Sequence, residues 1–219
     1  MRTALPPAEG LQRFDLTAIA PMPWKNGGGA TREIVCWPPG AGLERFGWRV
    51  SVASIDRSGP FSAFPGVERE IMLLAGDGVR LQGPGIDHRL DSPGQPFVFA
   101  GELPLDCTLL GGASTDFNLM RRRDAWTGRI EILGHAVTPG STAAGLCMVL
   151  SGAWRDAAGE ELGPGQGLWW SAPAPQAGGL VPVPGTEPRL AWIGLAPVLP
   201  SKCPPATMES APLAMESIA

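Results

Sequence analysis

Hydrophobic positions in this chain alternate; they do not recur at helical spacing. In "GWRVSVAS", residues 47–54, Trp48, Val50 and Val52 fall on one side of an extended backbone, and Arg49, Ser51 and Ala53 on the other. In "DFNLMR", Phe117 and Leu119 oppose Asp116, Asn118 and Met120. The segments "REIMLLAG", "QPFVFAGE", "LDCTLLGG", "AGLCMVLSG", "QGLWWSAP" and "RLAWIGLA" are also apolar, and each meets a turn signal too soon to be an ordinary helix. Only "GLERFGW", residues 42–48, suits a single helical turn. Thirty glycines and 24 prolines punctuate these segments, so the pattern predicts an all-β sandwich or barrel and not a low-complexity chain.

The pattern also repeats. "IMLLAG" at 71–76 and "CMVLSG" at 147–152 share one form, offset by 76 residues. Each is followed at similar distance by an aromatic segment, "PFVFAGE" around Phe97 and "GLWWSAP" around Trp169. A strand, a glycine turn, a returning strand and an aromatic strand make one jelly-roll unit. Two such units predict two packed β-barrels in one chain, with chance likeness between short strands as the competing reading.

Charge and composition then exclude classes of partner. The formal net charge is −4 with both signs mixed through the chain, which disfavours nucleic acid as the main partner. The basic run Arg121–Arg123 reads as a solvated strand end. No apolar run approaches the roughly 20 residues that span a bilayer. The start, "MRTALPPAEG", lacks a signal-like apolar stretch. The expectation is a cytoplasmic protein without membrane contact, with a homodimer left open. Cys36, Cys107, Cys147 and Cys203 include no close pair and are expected as free thiols. His88 and His135 stand alone, too few for a metal site of the jelly-roll kind, so neither metal nor cofactor is expected.

The candidate chemistry centres on "PMPWKNGGGATREI", residues 21–34. Gly27, Gly28 and Gly29 allow positive φ and close approach to the main chain, whose N–H groups could form an anion nest. Lys25 adds charge, Asn26 both donates and accepts, and Trp24 supplies an apolar wall. The plainer alternative is a hairpin loop with Lys25 solvated and Trp24 closing a barrel end. A phosphate-binding loop is excluded, because Lys25 precedes the glycines. In "DRSGPFSAFPGVERE", residues 56–70, Ser62 lacks the surroundings of a nucleophile and most residues read as turns. Arg69 enters a strand beside apolar residues and must be paired or pocket-facing if buried. Asn118 likewise needs partners if it is buried. Glu33, Glu102 and Asp116 lie in or beside strands as the candidate general bases, though no catalytic pair emerges and an enzyme is not favoured.

"MPWKNGGGATREI", "WRVSVASIDRSGPFSAFPGVEREIMLLAGDGVRL", "FAGE" and "DFNLMRRR" together resemble the HutD/Ves family of bacterial proteins, in order from about residue 14 to 195. The resemblance implies a cupin-type bicupin, an N-terminal cupin-like barrel at 1–127 and a smaller degenerate one at 128–197; the proline-rich, weakly patterned stretch at 198–219 is expected as an extended tail of poor order. It also implies association with histidine utilisation, no established catalysis, and a ligand such as urocanate or formylglutamate in the N-terminal barrel. Its motif positions are Trp24, Lys25, Asn26, Gly27, Gly28, Gly29 and Thr31, then Arg49, Ser51, Ser62, Arg69, Asp116 and Asn118. Lys25 and Arg49 would neutralise carboxylates, while Asn26, Ser51 and Asn118 would read amide or ring nitrogens. The alternatives are a metal-independent isomerase or hydrolase and a protein-interaction module.

Overall fold

The two alternating segments lie side by side as antiparallel strands, β4 (Trp48–Ile55) and β11 (Ser114–Arg122), with Asn118 opposite Ser51 and Phe117 opposite Val52. They form the centre of a six-stranded sheet that runs β2 (Met22–Pro23), β3 (Gly29–Trp37), β4, β11, β6 (Val67–Gly76), β9 (Pro96–Ala100). This computed structural model describes residues 10–174 and 178–199, so the tail expected from 198 onward falls almost wholly outside the described residues, as does Cys203.

The two faces of that sheet pack against different layers. Trp48, Val50, Val52, Met72, Phe117 and Leu119 face a five-stranded sheet of β1 (Gln12–Asp15), β16 (Gln166–Trp170), β13 (Ala144–Ser151), β18 (Arg189–Pro197) and β12 (Trp126–Leu133). Ala144, Leu146, Met148, Ala191, Ile193 and Leu195 meet them there. On the opposite face, Ile55, Ile71 and Leu73 pack against a four-stranded sheet of β5 (Gly59–Pro60), β10 (Asp106–Leu109), β7 (Val79–Gly83) and β8 (Ile86–Leu90). A three-stranded sheet, β15 (Glu161–Leu162), β14 (Trp154–Arg155) and β17 (Val181–Pro182), caps the far face of the five-stranded one around Trp154 and Trp170.

The repeat seen in the sequence is a repeat of connectivity. β6 lies between β9 and β11, as β13 lies between β16 and β18, and β7 lies between β8 and β10 as β14 lies between β15 and β17. The expected helical turn is present as α1 (Gly42–Arg45). β1 pairs with β16 in the sheet of the C-terminal half, Phe14 opposite Gly167. The reason is local packing: Phe14 lies against the central core, and its ring occupies space beside Gly167 that a Cβ there would enter at 2.6 Å. Among the described residues no helix is long and apolar enough to cross a membrane.

Phe117 is fully buried between the central sheet and the five-stranded one. Truncating a buried Phe removes its transfer free energy and leaves a cavity. Phe117→Ala is therefore expected to cost about 3–5 kcal/mol, read from the urea midpoint at unchanged slope.

Candidate functional site

A cavity of about 580 Å³ opens on the polar side of the central sheet, walled by Arg49, Ser51 and Ala53 of β4 and by Asp116, Asn118 and Met120 of β11. These are the residues that alternation sets opposite the core-facing Trp48, Val50, Phe117 and Leu119. The walls are completed by Arg69 of β6, by Phe61, Ser62 and Phe64 from the turn after β5, and by Trp24, Lys25, Asn26 and Thr31. Met22 and Leu43, both 52% exposed, also line it.

Arg69 dominates the interior. It is 6% exposed, and its guanidinium carbon sits 4.8 Å from the ring centre of Phe61, 5.7 Å from Phe64 and 5.1 Å from Phe99. Such contacts place the cation over aromatic faces, where it is attracted without being neutralised. Its Nε has no hydrogen-bond partner, and among the described residues the side chain forms no ion pair. Desolvation lowers its pKa to about 10, with Asp116 opposing the shift, so it remains charged at neutral pH.

Asp116, 2% exposed, responds in the opposite sense. Burial raises its carboxyl to about 6, held back by Arg69 and by backbone N–H groups including that of Ala53. Its Oδ1 has no partner, and neither has Oδ1 of Asn118, itself 6% exposed. The expected strand polar pair is thus buried on the cavity wall with unsatisfied acceptors.

Arg49 is the less available cation. Its Nε donates to Glu33 Oε2 at 2.7 Å, and its Nη1 donates to Ser51 Oγ at 3.3 Å. Glu33 is consequently engaged as a counter-ion. Glu102, exposed and bonded through both oxygens to Arg123, stands off the cavity, with its carboxyl held below the usual range. Of the three candidate bases, only Asp116 faces the cavity.

The glycine loop is organised differently from the expected nest. The Gly27 N–H donates to Trp24 O at 3.0 Å, the Gly28 N–H donates to Asn26 Oδ1 at 3.0 Å, and Gly28 O accepts from the N–H groups of Asp56 and Arg57. Those amides are engaged within the loop, and Gly27, Gly28 and Gly29 do not line the cavity. Their roles are conformational: Gly27 takes φ of 68° in the turn, and a Cβ at Gly29 would lie 2.0 Å from Ser54 O and 3.2 Å from the Trp24 ring. The loop thereby presses β3 against β4 and lays Trp24 over the cavity, its Nε1 donating to Thr31 Oγ1 at 2.8 Å. Lys25 projects at the exposed mouth.

The aromatic box was not foreseen. Phe61 and Phe64 stood in a segment read as turns, although two Phe at a spacing of three between Gly-Pro and Pro-Gly were a signal for a shared apolar wall. His88 stacks on Phe97 with ring centres 3.7 Å apart, which gives it a packing role. Among the described residues no three His, Cys, Asp or Glu side chains gather as metal ligands.

The sequence profile of the HutD family matches residues 17–182. This chain belongs to the HutD/Ves family. It is 40% identical over 161 residues to Protein Ves of Cronobacter sakazakii, covering 73% of this chain and 87% of that protein. It is also similar to the structure of HutD from Pseudomonas fluorescens SBW25 solved in a formate condition. There the TM-score is 0.72 and the identity 31%, covering 86% of this chain and 100% of the other. A Cupin 2 conserved barrel domain protein from Leptotrichia buccalis shares the fold at 10% identity, with a TM-score of 0.54 over 84% of this chain and 96% of that one. The fold of this HutD/Ves chain is therefore cupin-like and nearly all β.

The raised Asp116 carboxyl makes stability depend on pH. Its folded value near 6 exceeds the ordinary 3.8, so the folded protein holds this proton more tightly than the unfolded chain does. The resulting stabilisation is full below about pH 4 and is lost as pH rises through about 6. Asp116→Asn is expected to exceed the parent in stability at pH 7 by on the order of 2 kcal/mol and to lose that advantage at pH 4. Urea unfolding of both proteins at the two pH values measures this difference.

Proposed function

We propose that this protein is a non-enzymatic binder of a small carboxylate-bearing metabolite, held in the cavity above the central sheet. The observation that carries this reading is the Arg69 guanidinium, buried on a cavity wall without a counter-ion among the described residues. A buried charge lacking a partner is costly to keep. A ligand carboxylate would meet its planar fork with two parallel hydrogen bonds and recover that cost on binding. The principal anion seat thus moves from Lys25 and Arg49, the second of which Glu33 already engages, to Arg69. Lys25 at the mouth adds long-range attraction for anions, and Trp24, Phe61 and Phe64 supply apolar walls.

Family membership gives this binder a setting. The HutD name connects the family to histidine utilisation, and the metabolites of that degradation that fit the cavity's chemistry are urocanate and formylglutamate. The protein would then sense one of them in the cytoplasm, as a monomer or homodimer, and tune the pathway. The doubled strand connectivity supports reading the fold as two packed cupin-like barrels, the first within 1–127 and the second within 128–197 together with β1. A second reading is a metal-independent enzyme with Asp116 as general base. Its support is the carboxyl raised to about 6 inside a cavity, close to the range where a base works best at neutral pH.

The test is a thermal-shift screen of the purified protein against urocanate, N-formylglutamate, histidine, glutamate and formate. A ligand of the folded state alone should stabilise it by about 2.7 kcal/mol at a hundredfold excess over Kd. A selective shift is expected, abolished by Arg69→Met and weakened by Lys25→Ala. Absence of a shift with every compound, from a protein that melts cooperatively, overturns the carboxylate reading.

A further inference from the structure

Beside the unpaired guanidinium, the cavity holds two buried oxygen atoms with nothing to accept. Asp116 Oδ1 and Asn118 Oδ1 are both without partners, on side chains 2% and 6% exposed. The two residues are two apart on β11, so their side chains leave the same face of the strand roughly 7 Å apart along it. Their cross-strand neighbours supply little. Asp116 lies opposite Ala53 and Leu73, and Asn118 opposite Ser51 and Ile71. Of these neighbours only Ser51 carries a side-chain hydroxyl; its oxygen accepts from Arg49, and it makes no hydrogen bond to Asn118 Oδ1.

We propose that Asp116 and Asn118 form an acceptor subsite for an N–H group of the ligand, beside the seat that Arg69 offers to its carboxylate. The class of ligand is thereby narrowed to carboxylates that also bear a donating nitrogen: amide, amine or azole acids, as opposed to simple carboxylic acids. Burial makes the selection strong. A ligand lacking the N–H leaves two desolvated acceptors unpaired, and sites built to bond a substrate N–H reject such analogues far more sharply than apolar pockets reject a missing methylene. Charge agrees with this assignment. Lys25, Arg49 and Arg69 face or adjoin the cavity with Glu33 and Asp116, which leaves one net positive charge for the ligand's anion while Asp116 stays an acceptor.

This subsite rests on the carboxylate reading above, and matched pairs separate the two ideas. Isothermal titration would compare trans-urocanate with trans-cinnamate, which keeps the acrylate but has no ring nitrogen, and N-formyl-L-glutamate with glutarate. The wild-type protein is expected to prefer the nitrogen-bearing member of at least one pair by tenfold or more. Asn118→Leu, close in volume, should erase most of that preference while leaving the affinity of the nitrogen-free member within about threefold. Equal affinity within both pairs overturns the acceptor subsite and leaves the carboxylate seat standing. Asp116 would then meet the ligand as a protonated acid. Failure of all four compounds to bind a folded protein removes the carboxylate seat and the subsite with it.

Discussion

The period of two in β4 and β11 governs the whole arrangement. One pair of central strands must satisfy two different surroundings, and alternation lets it do so with no compromise at any single position. Trp48, Val50, Val52, Phe117 and Leu119 are given entirely to the interface with the five-stranded sheet. The intervening Arg49, Ser51, Asp116 and Asn118 are free to be polar, because the opposing four-stranded sheet and its loops leave a cavity over them. A slip of one residue in β4 would turn Arg49 into the core, and one in β11 would turn Asp116 there, so the register that makes the core also makes the polar wall of the cavity. The cavity floor is consequently formed by the two central strands of the six-stranded sheet.

Such a floor can hold groups that would otherwise relax. Arg69 and Asp116 attract one another but make no ion pair, and each is buried enough for desolvation to be the first influence on its titration. The Arg69 cation is kept in place by three phenyl rings, which are flat, apolar and unable to neutralise it. This combination keeps a charge available and excludes the hydrogen-bonding side chains that would satisfy it. Binding sites commonly retain such unsatisfied groups in advance of a ligand, at some cost to the stability of the empty protein.

Much of this was readable in the sequence because it depends on local alternation. The all-β fold, the faces of β4 and β11, and the placing of Arg69 either in a pair or in a pocket all follow from spacing and burial. The parts that were not readable depend on contacts distant in the chain. Glu33 claims Arg49 only once β3 and β4 are neighbours, so the sequence could not say which arginine stays free. Phe99 joins Phe61 and Phe64 from β9. The glycines of "WKNGGG" were open to two meanings in a one-dimensional reading, because close approach serves a ligand and a neighbouring strand equally. Ser54 O at 2.0 Å from a hypothetical Gly29 Cβ decides for the strand. β1 crossed to the other half because of Phe14, whose partner Gly167 is more than 150 residues away.

The doubled connectivity gives Arg69, Asp116 and Asn118 counterparts in the C-terminal half. With the 76-residue offset that aligns Ile71 with Cys147, Arg69 corresponds to Gly145. Through the strand pairings, Asn118, opposite Ile71, corresponds to Trp192, opposite Cys147, and Asp116, opposite Leu73, corresponds to Leu190, opposite Val149. Arg69, Asn118 and Asp116 are thus replaced by glycine, tryptophan and leucine, whereas Arg49 and Ser51 correspond to Arg129 and Glu131, opposite Gly194 and Trp192. Trp192 and Leu190 pack with Trp154 and Trp170 into a continuous apolar cluster, and the Trp170 ring reaches within 2.4 Å of where a Gly145 Cβ would stand. The space that holds a guanidinium in one half is filled by an indole in the other. Gly145 is what admits that indole, so a side chain at 145 cannot reopen the second cavity without displacing Trp170. The counterparts at 190 and 192 serve packing, while the five-stranded sheet supplies the apolar backing for the strands whose other face carries Arg49, Ser51, Asp116 and Asn118.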